Sequence, residues 1–428
     1  MRILVLGGGG REHAIVVKLS ESVLVTDIHV APGNGGTAGI AKNITLDVED
    51  GDAVAGYALA NDVGLVVIGP EAPLVAGVAD VVREAGIPVF GPGASGARLE
   101  GSKSFSKELM ARHGLPAGFS SAFTDLEEAL GYLGEVSAPI VIKADGLAAG
   151  KGVTVAMDVH TAREAIKECF EGRFGEAGNT VLVEEFLTGP ECSLLAFTDG
   201  ITVVPMAPAQ DHKRAYENDE GPNTGGMGVY SPVPIVTDAE YDAMLDVMER
   251  TVAGLRSEGI DYRGVLYGGF ILTDEGPKLL EFNARFGDPE TQVVLPRLDG
   301  DLAEIMLACA EQRLADVDLA WKPEWAVSVV IASGGYPSEY KAGKMILGVE
   351  RAAVIPGVTV YHAGTTLSAD GTLFTAGGRV LNVTALGASF AEARQRAYDA
   401  VDCITWESMF FRTDIGAKAQ RGRDAWKA

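Results

Sequence analysis

The chain has 428 residues, of which 47% are hydrophobic and 22% charged, and a formal net charge of -24 at pH 7. That length allows roughly two to four domains with ample core, in a composition ordinary for a globular protein. The acidic balance excludes an extended nucleic-acid surface, which needs clustered Lys and Arg, but it leaves room for small anionic ligands held by local basic groups and backbone amides.

The cysteines and the apolar stretches predict the compartment. The four cysteines are widely spaced and form no CxxC pair, which favours a reducing compartment and no structural zinc. The first residues run directly into an apolar strand, so no signal peptide is predicted. The apolar stretch 63–82 contains Glu71 and Asp80 and is not a membrane span. We therefore expect a cytoplasmic protein without nucleic-acid or membrane partners.

The first third of the chain alternates short apolar runs with helical patterns. Over residues 1–93 the runs read ILVL, LVVIGP and IPVFGP, an alternation that predicts βαβ units and a parallel sheet. The stretch GSKSFSKELMARHGLP then predicts a helix with Phe105, Leu109 and Met110 on one face, ending at Gly114.

Later elements follow from capping and turn signals. Thr124, Thr161 and Thr237 each precede a glutamate by three residues, which predicts three helix starts. PIVIKADGLAAGKGVTVAM and GVLYGGFILTDEGPKLLEFN each predict two strands joined by a turn. A linker is predicted near residues 322–323, followed by a strand-rich region with a late helix at FAEARQRAYDAV.

Two glycine-rich stretches indicate phosphate binding but match no common motif. VIKADGLAAGKG, residues 141–152, has one residue too few between its glycines for a P-loop, and Gly152 stands where Ser or Thr should bind magnesium. ILVLGGGGREHA follows a strand, yet Glu12 occupies the last glycine position of the dinucleotide fingerprint. The alternative at Gly7–Gly10 is a tight turn before a helix.

Lys143 ends an apolar strand, where an unpaired lysine is costly to bury and a phosphate would satisfy it. A lysine extending to solvent is the alternative; the neighbouring glycine loop and Lys151 favour the phosphate. Lys103, at the start of the predicted helix, is a second candidate.

Glu281 and Asn283 are two residues apart on a predicted strand, so their side chains share a face, and Arg285 follows two residues later. Oxygen ligands at this spacing suit Mg²⁺ bridged to phosphates, and the arginine could neutralise charge on a transferred phosphoryl group. A structural ion pair between Glu281 and Arg285 is the alternative reading.

Two further glycine loops carry small polar residues, APGNGGTAG at 31–39 and GPNTGGMG at 221–228. Such loops are hard to explain by packing alone. His212, beside the second loop, could be a catalytic base, but its charged neighbours favour a solvated loop histidine.

Together these stretches resemble the ATP-grasp superfamily and, within it, the phosphoribosylamine–glycine ligases. The resemblance covers essentially the whole chain in order, and GPNTGGMG with EFNARFGDPETQ is its most specific part. The motifs that carry it are LVLGGGGREHA, GPEAPL, IKADGLAAGKGV, VEEFLTGPE, QDHKR, GPNTGGMG, EFNARFGDPETQ, AGGRVL and FRTDIG.

The resemblance implies an α/β and α+β fold in three parts. An N-terminal parallel-sheet domain that precedes the ATP-grasp unit and binds phosphoribosylamine is expected at 1–100. A two-part ATP-grasp domain is expected at 101–323, with a lid subdomain at 118–188, and a strand-rich, mixed α/β C-terminal domain at 324–428. In the family the 146–152 loop is a mobile lid over the nucleotide phosphates, not a rigid P-loop.

The resemblance also implies site residues. The nucleotide site is expected at Lys103, Lys143, Gly146, Gly150, Lys151, Gly152, Glu184, Glu185, Leu187 and Glu191, where Glu185 and Leu187 present backbone groups to adenine and Glu191 meets the ribose. The substrate site is expected at Gly9, Glu12, Asn34, Gly35, Thr37, Glu71, Asn223, Thr224, Gly225 and Gly226. Catalysis is expected from Arg285, Lys143, Asp211 and Lys213, with Glu281 and Asn283 as metal ligands.

The implied reaction joins glycine to 5-phosphoribosylamine through glycyl phosphate, with ATP and Mg²⁺ (or Mn²⁺), in de novo purine synthesis. The implied partners are these small molecules, with transient contacts to neighbouring purine-pathway enzymes. A related ATP-grasp ligase or carboxylase, a nucleotide-binding regulator and an oxidoreductase are the alternatives. Two features depart from the pattern: the strand LYGGFIL offers no second acidic metal ligand, and the acidic segment 216–220 has no expected contact.

Overall fold

The computed structural model describes residues 1–146 and 152–420. The first region is a five-stranded parallel sheet in the order β3-β2-β1-β4-β5, as predicted. The buried apolar strand β1 lies at its centre, and helices connect the strands. The elements are β1 (Arg2–Gly7), α1 (Gly10–Ser20), β2 (Asp27–Pro32), β3 (Lys42–Asn43), α2 (Gly51–Ala60), β4 (Val63–Ile68), α3 (Glu71–Val75), α4 (Val78–Glu84), β5 (Val89–Phe90) and α5 (Ala94–Gly101).

Parallel pairing brings three loops to one edge of this sheet. Gly7 at the end of β1 pairs with Pro32 at the end of β2, and Leu6 pairs with Ile68 at the end of β4. The segments after these strands, 8–9, 33–41 and 69–70, therefore start side by side. Ligands of open parallel sheets bind at this carboxyl edge.

The second region carries an antiparallel sheet in the order β6-β9-β7-β8. Its apolar residues, with those of two helices, form a core of their own. The predicted helix over 103–112 is confirmed, with Phe105, Leu109 and Met110 buried. The elements are α6 (Lys103–Arg112), β6 (Ser120–Phe123), α7 (Leu126–Tyr132), β7 (Ile140–Ala144), β8 (Val153–Ala156), α8 (Val159–Phe170) and β9 (Val181–Glu185).

The third region faces this sheet with a second antiparallel sheet, ordered β11-β10-β16-β17. The predicted pair of strands joined by residues 274–276 is confirmed as β16 and β17, although Gly276 already belongs to β17. The elements are β10 (Glu191–Thr198), β11 (Val203–Pro205), β12 (Gln210–Asp211), β13 (Arg214–Tyr216), β14 (Glu220–Asn223), β15 (Gly228–Ser231), α9 (Asp238–Ser257), β16 (Gly264–Thr273), β17 (Gly276–Asn283), α10 (Thr291–Val294), β18 (Leu298–Asp299) and α11 (Leu302–Ala310).

The last region is built on the sheet β12-β15-β20-β24-β21, with β25 beside β20. Strands β12 and β15 belong to the preceding region in sequence, so this sheet joins the two. The elements are β19 (Ala320–Trp321), β20 (Trp325–Ser333), α12 (Val349–Ala353), β21 (Val358–His362), β22 (Thr365–Leu367), β23 (Leu373–Thr375), β24 (Arg379–Gly387), α13 (Phe390–Val401) and β25 (Met409–Phe410). No helix among the described residues is long and apolar enough to cross a membrane.

The capping predictions were right once and wrong twice. Thr237 caps α9 and forms a capping box with Glu240. Helix α7 is capped by Asp125 and α8 by Asp158, because each aspartate accepts a hydrogen bond from the backbone N–H three residues later. Thr124 and Thr161 do not cap these helices; Asp competes well with Thr at this position.

A buried histidine pair joins the first and last regions. The backbone N–H of His362, at the end of β21, donates to Nδ1 of His13 on α1 at 2.7 Å. Burial, and the neighbouring His362, lower the pKa of His13 to about 3. Burial lowers the pKa of His362 to about 4, although Glu350 opposes the shift. Both imidazoles are therefore neutral at pH 7.

We predict that acid destabilises this junction. Below about pH 6.5 the two histidines are protonated in the unfolded chain but stay neutral in the folded one. The free energy of unfolding therefore falls, as the pH falls, by about 1.4 kcal/mol per pH unit for each histidine. The fall continues to about pH 4, where the folded His362 begins to titrate. Denaturant unfolding over this range should show a shallower slope for His13→Gln than for the native chain. His160→Gln, at an exposed histidine, is the control; equal slopes in all three proteins would contradict the assignment.

Candidate active site

The cleft between the two antiparallel sheets is lined by lysines whose side chains are already held. Lys103 is the first residue of α6, and its Nζ donates to the carbonyl oxygen of Gly146 at 2.7 Å. The first backbone amides of this helix donate to the carboxylate of Asp145, with Ser104 N at 3.2 Å from its Oδ1. The helix N-terminus, which favours negative charge, thus holds the start of the glycine loop.

Lys143, near the end of β7, is buried. Its Nζ is 2.9 Å from Oε2 of Glu184 on β9, and Nζ of Lys107 is at the same distance from that oxygen. The other oxygen of Glu184 is buried and has no hydrogen-bond partner among the described residues. Burial lowers the pKa of Lys107, against the opposing effect of Glu184. One carboxylate therefore orients two lysines.

Strand β17 carries Glu281 and Asn283 on one face, as predicted, and Arg285 follows two residues after the strand ends. Glu281, Asn283 and Arg285 are partly accessible, whereas the residues between them are buried. Burial opposes ionisation of Glu281, but nearby cations, Lys213 foremost, outweigh it and lower its pKa. Glu281 is thus a ready anionic oxygen ligand.

Gly269 of β16 lies directly opposite Glu281 across the strands. A Cβ at Gly269 would stand 3.2 Å from Cγ of Glu281, tighter than ordinary contact. This close approach accounts for the glycine where a second acidic ligand was missing from the sequence. Within residues 1–146 and 152–420, no three His, Cys, Asp or Glu side chains are grouped to hold a metal.

Lys213 bridges two carboxylates at the mouth of the cleft. Its Nζ lies 3.2 Å from Oε2 of Glu191 and 3.7 Å from Oε1 of Glu281. Glu191 raises the pKa of Lys213 well above its usual value, against the effect of burial. Burial raises the pKa of nearby Asp211, although Lys213 opposes that shift and Glu290 supports it.

Arg285 is anchored by two glutamates. Its Nη2 lies 2.7 Å from Oε1 of Glu100, and its Nε 3.5 Å from Oε2 of Glu71. Glu100 also accepts a hydrogen bond from the backbone N–H of Ala284 at 2.8 Å, so it fixes both the strand end and the guanidinium. Burial opposes the charge of Arg285, but Glu100 and Glu71 outweigh it and raise its pKa. The alternative reading, an ion pair from Glu281 to Arg285, is absent from the ion pairs of the described residues.

The loops at the parallel-sheet edge form the predicted substrate region. Gly9 caps α1, and its N–H donates to Oε2 of Glu12 at 2.6 Å. Glu12 is buried and also pairs with Arg11 at 2.6 Å. Its carboxylate therefore holds the glycine turn together, and Gly9, which is partly accessible, is the member of this pair that can reach a ligand with its backbone.

The loop after β2 is internally bonded. Asn34 donates from its amide to the carbonyls of Gly8 and His362, and it accepts from the N–H groups of Gly36 and Thr37. Thr37 is fully buried and bonds back to Asn34. Gly35, partly accessible, lies with Asn34 in a cavity of about 280 Å³ between this loop and Thr365–Leu367. Asn34 and Thr37 shape the loop, and Gly35 lines its open side.

The 223–226 loop is held by hydrogen bonds to Lys213 and Arg379. Thr224 bonds to Lys213 through both its N–H and its hydroxyl, at 2.7 and 2.8 Å. Asn223 pairs with Arg214 in the β13–β14 ribbon. Arg379 of β24 donates to the carbonyl of Gly225 at 2.6 Å and to that of Asp288 at 2.8 Å. Gly226 has φ of +113°, a conformation open to glycine.

The expected adenine hinge lies between the two sheets. β9 ends at Glu185 and β10 begins at Glu191, so Leu187 is in the connecting loop. The backbone N–H of Glu185 donates to the carbonyl of Phe119 at 3.0 Å, which fixes the strand end. Gly146 has φ of +106°, and the carbonyl of Gly152 accepts from Ala144. Gly150 and Lys151 lie outside the described residues.

The expectation for His212 was wrong. Its side chain is buried, its Nδ1 donates to the carbonyl of Gly228 at 3.2 Å, and its Nε2 accepts from the backbone N–H of Gly416 at 3.0 Å. Burial lowers the pKa of His212 to about 3, so it is neutral and joins two backbone segments. It is neither a solvated loop residue nor a base in the cleft.

Sequence reasoning missed several residues at this site: Lys107, Glu100, Glu290 and Arg379. Glu290 is buried and accepts hydrogen bonds from Ser193 and Tyr267 at 3.1 and 3.0 Å. Its only sequence signal was its place in the motif EFNARFGDPETQ, and Lys107 stands four residues after Lys103 on the same helix. Helical spacing could have paired these lysines; nothing local could have shown that Glu100 reaches Arg285.

Three domain models of one protein family match successive parts of the chain. The phosphoribosylglycinamide synthetase N domain matches residues 1–100, its ATP-grasp (A) domain 101–291 and its C domain 326–418. The chain belongs to the phosphoribosylglycinamide synthetase family. As a member, it is an ATP-grasp ligase.

Relatives in this family match over almost their whole length. Phosphoribosylamine–glycine ligase of Nostoc sp. is 50% identical over 422 residues, 97% of this chain and 99% of the relative. That of Vibrio parahaemolyticus is 49% identical, with 98% of each chain covered. The crystal structure of the Thermotoga maritima phosphoribosylamine–glycine ligase is 32% identical with a TM-score of 0.84, covering 97% of this chain and 100% of that one.

The fold is shared more widely. The biotin carboxylase domain of Hydrogenobacter thermophilus 2-oxoglutarate carboxylase, solved with MgADP and bicarbonate, is 17% identical with a TM-score of 0.73 over 97% of each chain. At this identity the likeness shows the fold alone. The ATP-grasp architecture of this synthetase-family chain is nevertheless one that holds a magnesium nucleotide in such a neighbour.

The residues of this synthetase-family chain fit a nucleotide-bound magnesium ion. Glu281 and Asn283 offer a carboxylate and an amide oxygen on one face, the hard oxygen ligands that Mg²⁺ takes. Few protein oxygens suffice, because this ion usually keeps water and phosphate ligands. The lowered pKa of Glu281 keeps that ligand ionised.

We predict that Glu281→Gln raises the Mg²⁺ concentration for half-maximal activity about tenfold or more, since it removes the anionic ligand. Activity should be titrated against Mg²⁺ at saturating ATP, and thermal unfolding should match that of the native protein. Glu275→Gln is the matched control: it makes the same change at the far end of the β16–β17 hairpin, where Glu275 is exposed and pairs with Lys278. An unchanged Mg²⁺ requirement in Glu281→Gln would assign this carboxylate to the Lys213 ion pair alone.

Proposed function

We propose that this chain joins glycine to 5-phosphoribosylamine with ATP, giving glycinamide ribonucleotide, ADP and phosphate in de novo purine biosynthesis. The observation that carries the proposal is the full-length match to relatives named phosphoribosylamine–glycine ligase. The site supports it chemically, because Lys103, Lys143 and Arg285 surround the carboxylate of Glu281 in one cleft.

The first step activates glycine. An oxygen of its carboxylate attacks the γ-phosphorus of ATP, the bond to ADP breaks, and glycyl phosphate forms. Such transfers depend on positioning and charge neutralisation. We assign Lys143 to the transferring phosphoryl group, because its Nζ is fixed at 2.9 Å from Glu184 and cannot drift into solvent.

Arg285 is assigned to the same group. Its contacts with Glu100, Glu71 and the carbonyl of Phe286 leave further N–H donors on Nη1 and Nη2. The two glutamates hold the planar fork in place before substrates arrive, so no reorganisation is needed when charge develops.

In the second step the ribosylamine nitrogen attacks the carbonyl carbon of glycyl phosphate, the C–O bond to phosphate breaks, and the nitrogen loses a proton. Glycine presents an ammonium group and a carboxylate. We place the ammonium group near Asp211 and Glu290, two neighbouring acidic residues of this pocket, and the carboxylate near Lys213. Water must be kept from the acyl phosphate, which it would hydrolyse.

Nucleotide binding follows from the same cleft. We place the phosphates at Lys103, Lys143 and the glycine loop that begins at Gly146, and the adenine at the backbone of Glu185 and Leu187, with the ribose near Glu191. Glu184 would act through Lys143 and Lys107. Magnesium, or Mn²⁺ as the alternative, held by Glu281 and Asn283 would neutralise phosphate charge.

Phosphoribosylamine would bind at the parallel-sheet edge, against the backbones of Gly9 and Gly35 and within reach of Asn223–Gly226. Glu71 links this edge to Arg285 at 3.5 Å, so the amine and the activated glycine would meet there. We propose domain limits of 1–100, 101–323, with a subdomain at 118–188, and 324–428.

We also propose a cytoplasmic location, since the four cysteines are free thiols and three of them are buried. Transient contacts with neighbouring purine-pathway enzymes are proposed because a glycosylamine hydrolyses in water, and a short path would limit that loss.

The decisive assay measures phosphate release from Mg-ATP with glycine plus phosphoribosylamine, and separately with bicarbonate or formate as the acid. Release should require glycine and the amine together. Release that depends on bicarbonate or formate instead would place the chain with the carboxylases or with other ligases of the superfamily.

We predict that Arg285→Lys lowers kcat by about 10²-fold or more, with little change in ATP affinity, because an ammonium cannot bridge two phosphoryl oxygens. The measurements are steady-state kinetics and direct nucleotide binding. Arg250→Lys, at an exposed arginine paired with Asp246, is the control. Lost ATP affinity with unchanged turnover of bound substrate would refute the assigned role.

A further inference from the structure

Residues 211–214 alternate between two surroundings. Lys213 extends to Glu191 and Glu281 in the cleft. The residues on either side of it face the C-terminal segment 412–418: His212 accepts a hydrogen bond from Gly416, and the carbonyl of Arg214 accepts one from Arg412 at 3.0 Å. Successive residues of an extended chain point to opposite faces. The backbone segment that carries Lys213 is thus held by the C-terminal segment 412–418.

Arg412 is the centre of that contact. It is 1% exposed, the largest fully buried side chain in the described structure. Its Nε and Nη2 lie 2.7 and 2.8 Å from the two oxygens of Asp414, and its Nη1 lies 2.9 Å from Oδ1 of Asp219. A guanidinium fork suits such contacts in several directions, whereas a lysine offers one point charge.

Burial of apolar groups does not fix the conformation of the loop that Arg412 contacts. From Tyr216 to Thr224 every residue is exposed or only partly buried. Asn218 and Asp219 have φ of +58° and +56°, the left-handed region that costs energy outside glycine. The compensating contacts come from the C-terminal segment: Asp414 accepts from the N–H of Asn218 at 2.9 Å, and Lys418 pairs with Asp219.

We propose that Arg412 is a positioning residue for the glycine site: through Asp219 and Arg214 it sets the 211–224 segment so that Asp211 and Lys213 face the substrate. The inference rests on the proposed function, because it assigns glycine to these two residues. The link to the site is local, since Thr224, at the end of this segment, donates two hydrogen bonds to the backbone carbonyl of Lys213.

The test uses Asp219→Asn in the full chain. Asparagine tolerates the left-handed conformation, so the variant keeps the backbone and removes the charge that Arg412 and Lys418 contact. The KM for glycine should rise about tenfold, with the KM for ATP nearly unchanged, because a small displacement of a positioning group is costly. Hydrogen exchange of amides in 213–224 should quicken in the absence of substrates.

Glu407→Gln is the matched control, since it neutralises an ion pair with Lys344 elsewhere in the same region. Arg412→Lys should raise the KM for glycine as Asp219→Asn does. Lysine keeps the positive charge, but the guanidinium fork is lost. An unchanged KM for glycine in Asp219→Asn overturns the proposal, whatever the hydrogen exchange shows. If exchange quickens while the KM is unchanged, the contact is structural only. The proposed function fails separately, if the native chain shows no glycine-dependent phosphate release.

Discussion

The site depends on one constraint: three cations, Lys143, Lys213 and Arg285, face a single cleft, and each is held by carboxylates of another element. Glu184 holds Lys143, Glu191 and Glu281 hold Lys213, and Glu100 with Glu71 holds Arg285. A buried cation without such a partner would be strongly destabilising. The packing of the two antiparallel sheets and the parallel-sheet edge therefore has to bring these pairs together.

Local periodicity predicted much of this arrangement. The parallel sheet, the helix after it and the hairpin of β16 and β17 followed from apolar spacing and turn residues. Glu281 and Asn283 share a face because a strand alternates with a period of two. Their strand and the lysine near the end of β7 could be predicted because each depends on neighbours in sequence.

The rest depends on pairs distant in sequence. Glu100 meets Arg285 only after the first region packs on β17, and His212 becomes buried only when residue 416 reaches it. Gly269 needed the strand register to explain its lack of a side chain. The sheet that joins β12 and β15 to β20 and β24 crosses the boundary that composition predicted near 322–323, because strand pairing does not follow composition. Periodicity in the sequence predicts on which face of a strand or helix a residue lies. Tertiary packing determines which residue it contacts on that face.

The prior pairing of these cations has a kinetic consequence. A cleft whose positive charges are compensated at close range projects little field into solvent, and the chain as a whole carries -24 charges. Long-range attraction, which accelerates the approach of charged ligands to many enzymes, is therefore weak for a polyanionic nucleotide. Its capture depends instead on short-range exchange of ion pairs after diffusive contact. Because the chain and the nucleotide both carry net negative charge, salt screens a repulsion between them, and the association rate should rise with ionic strength.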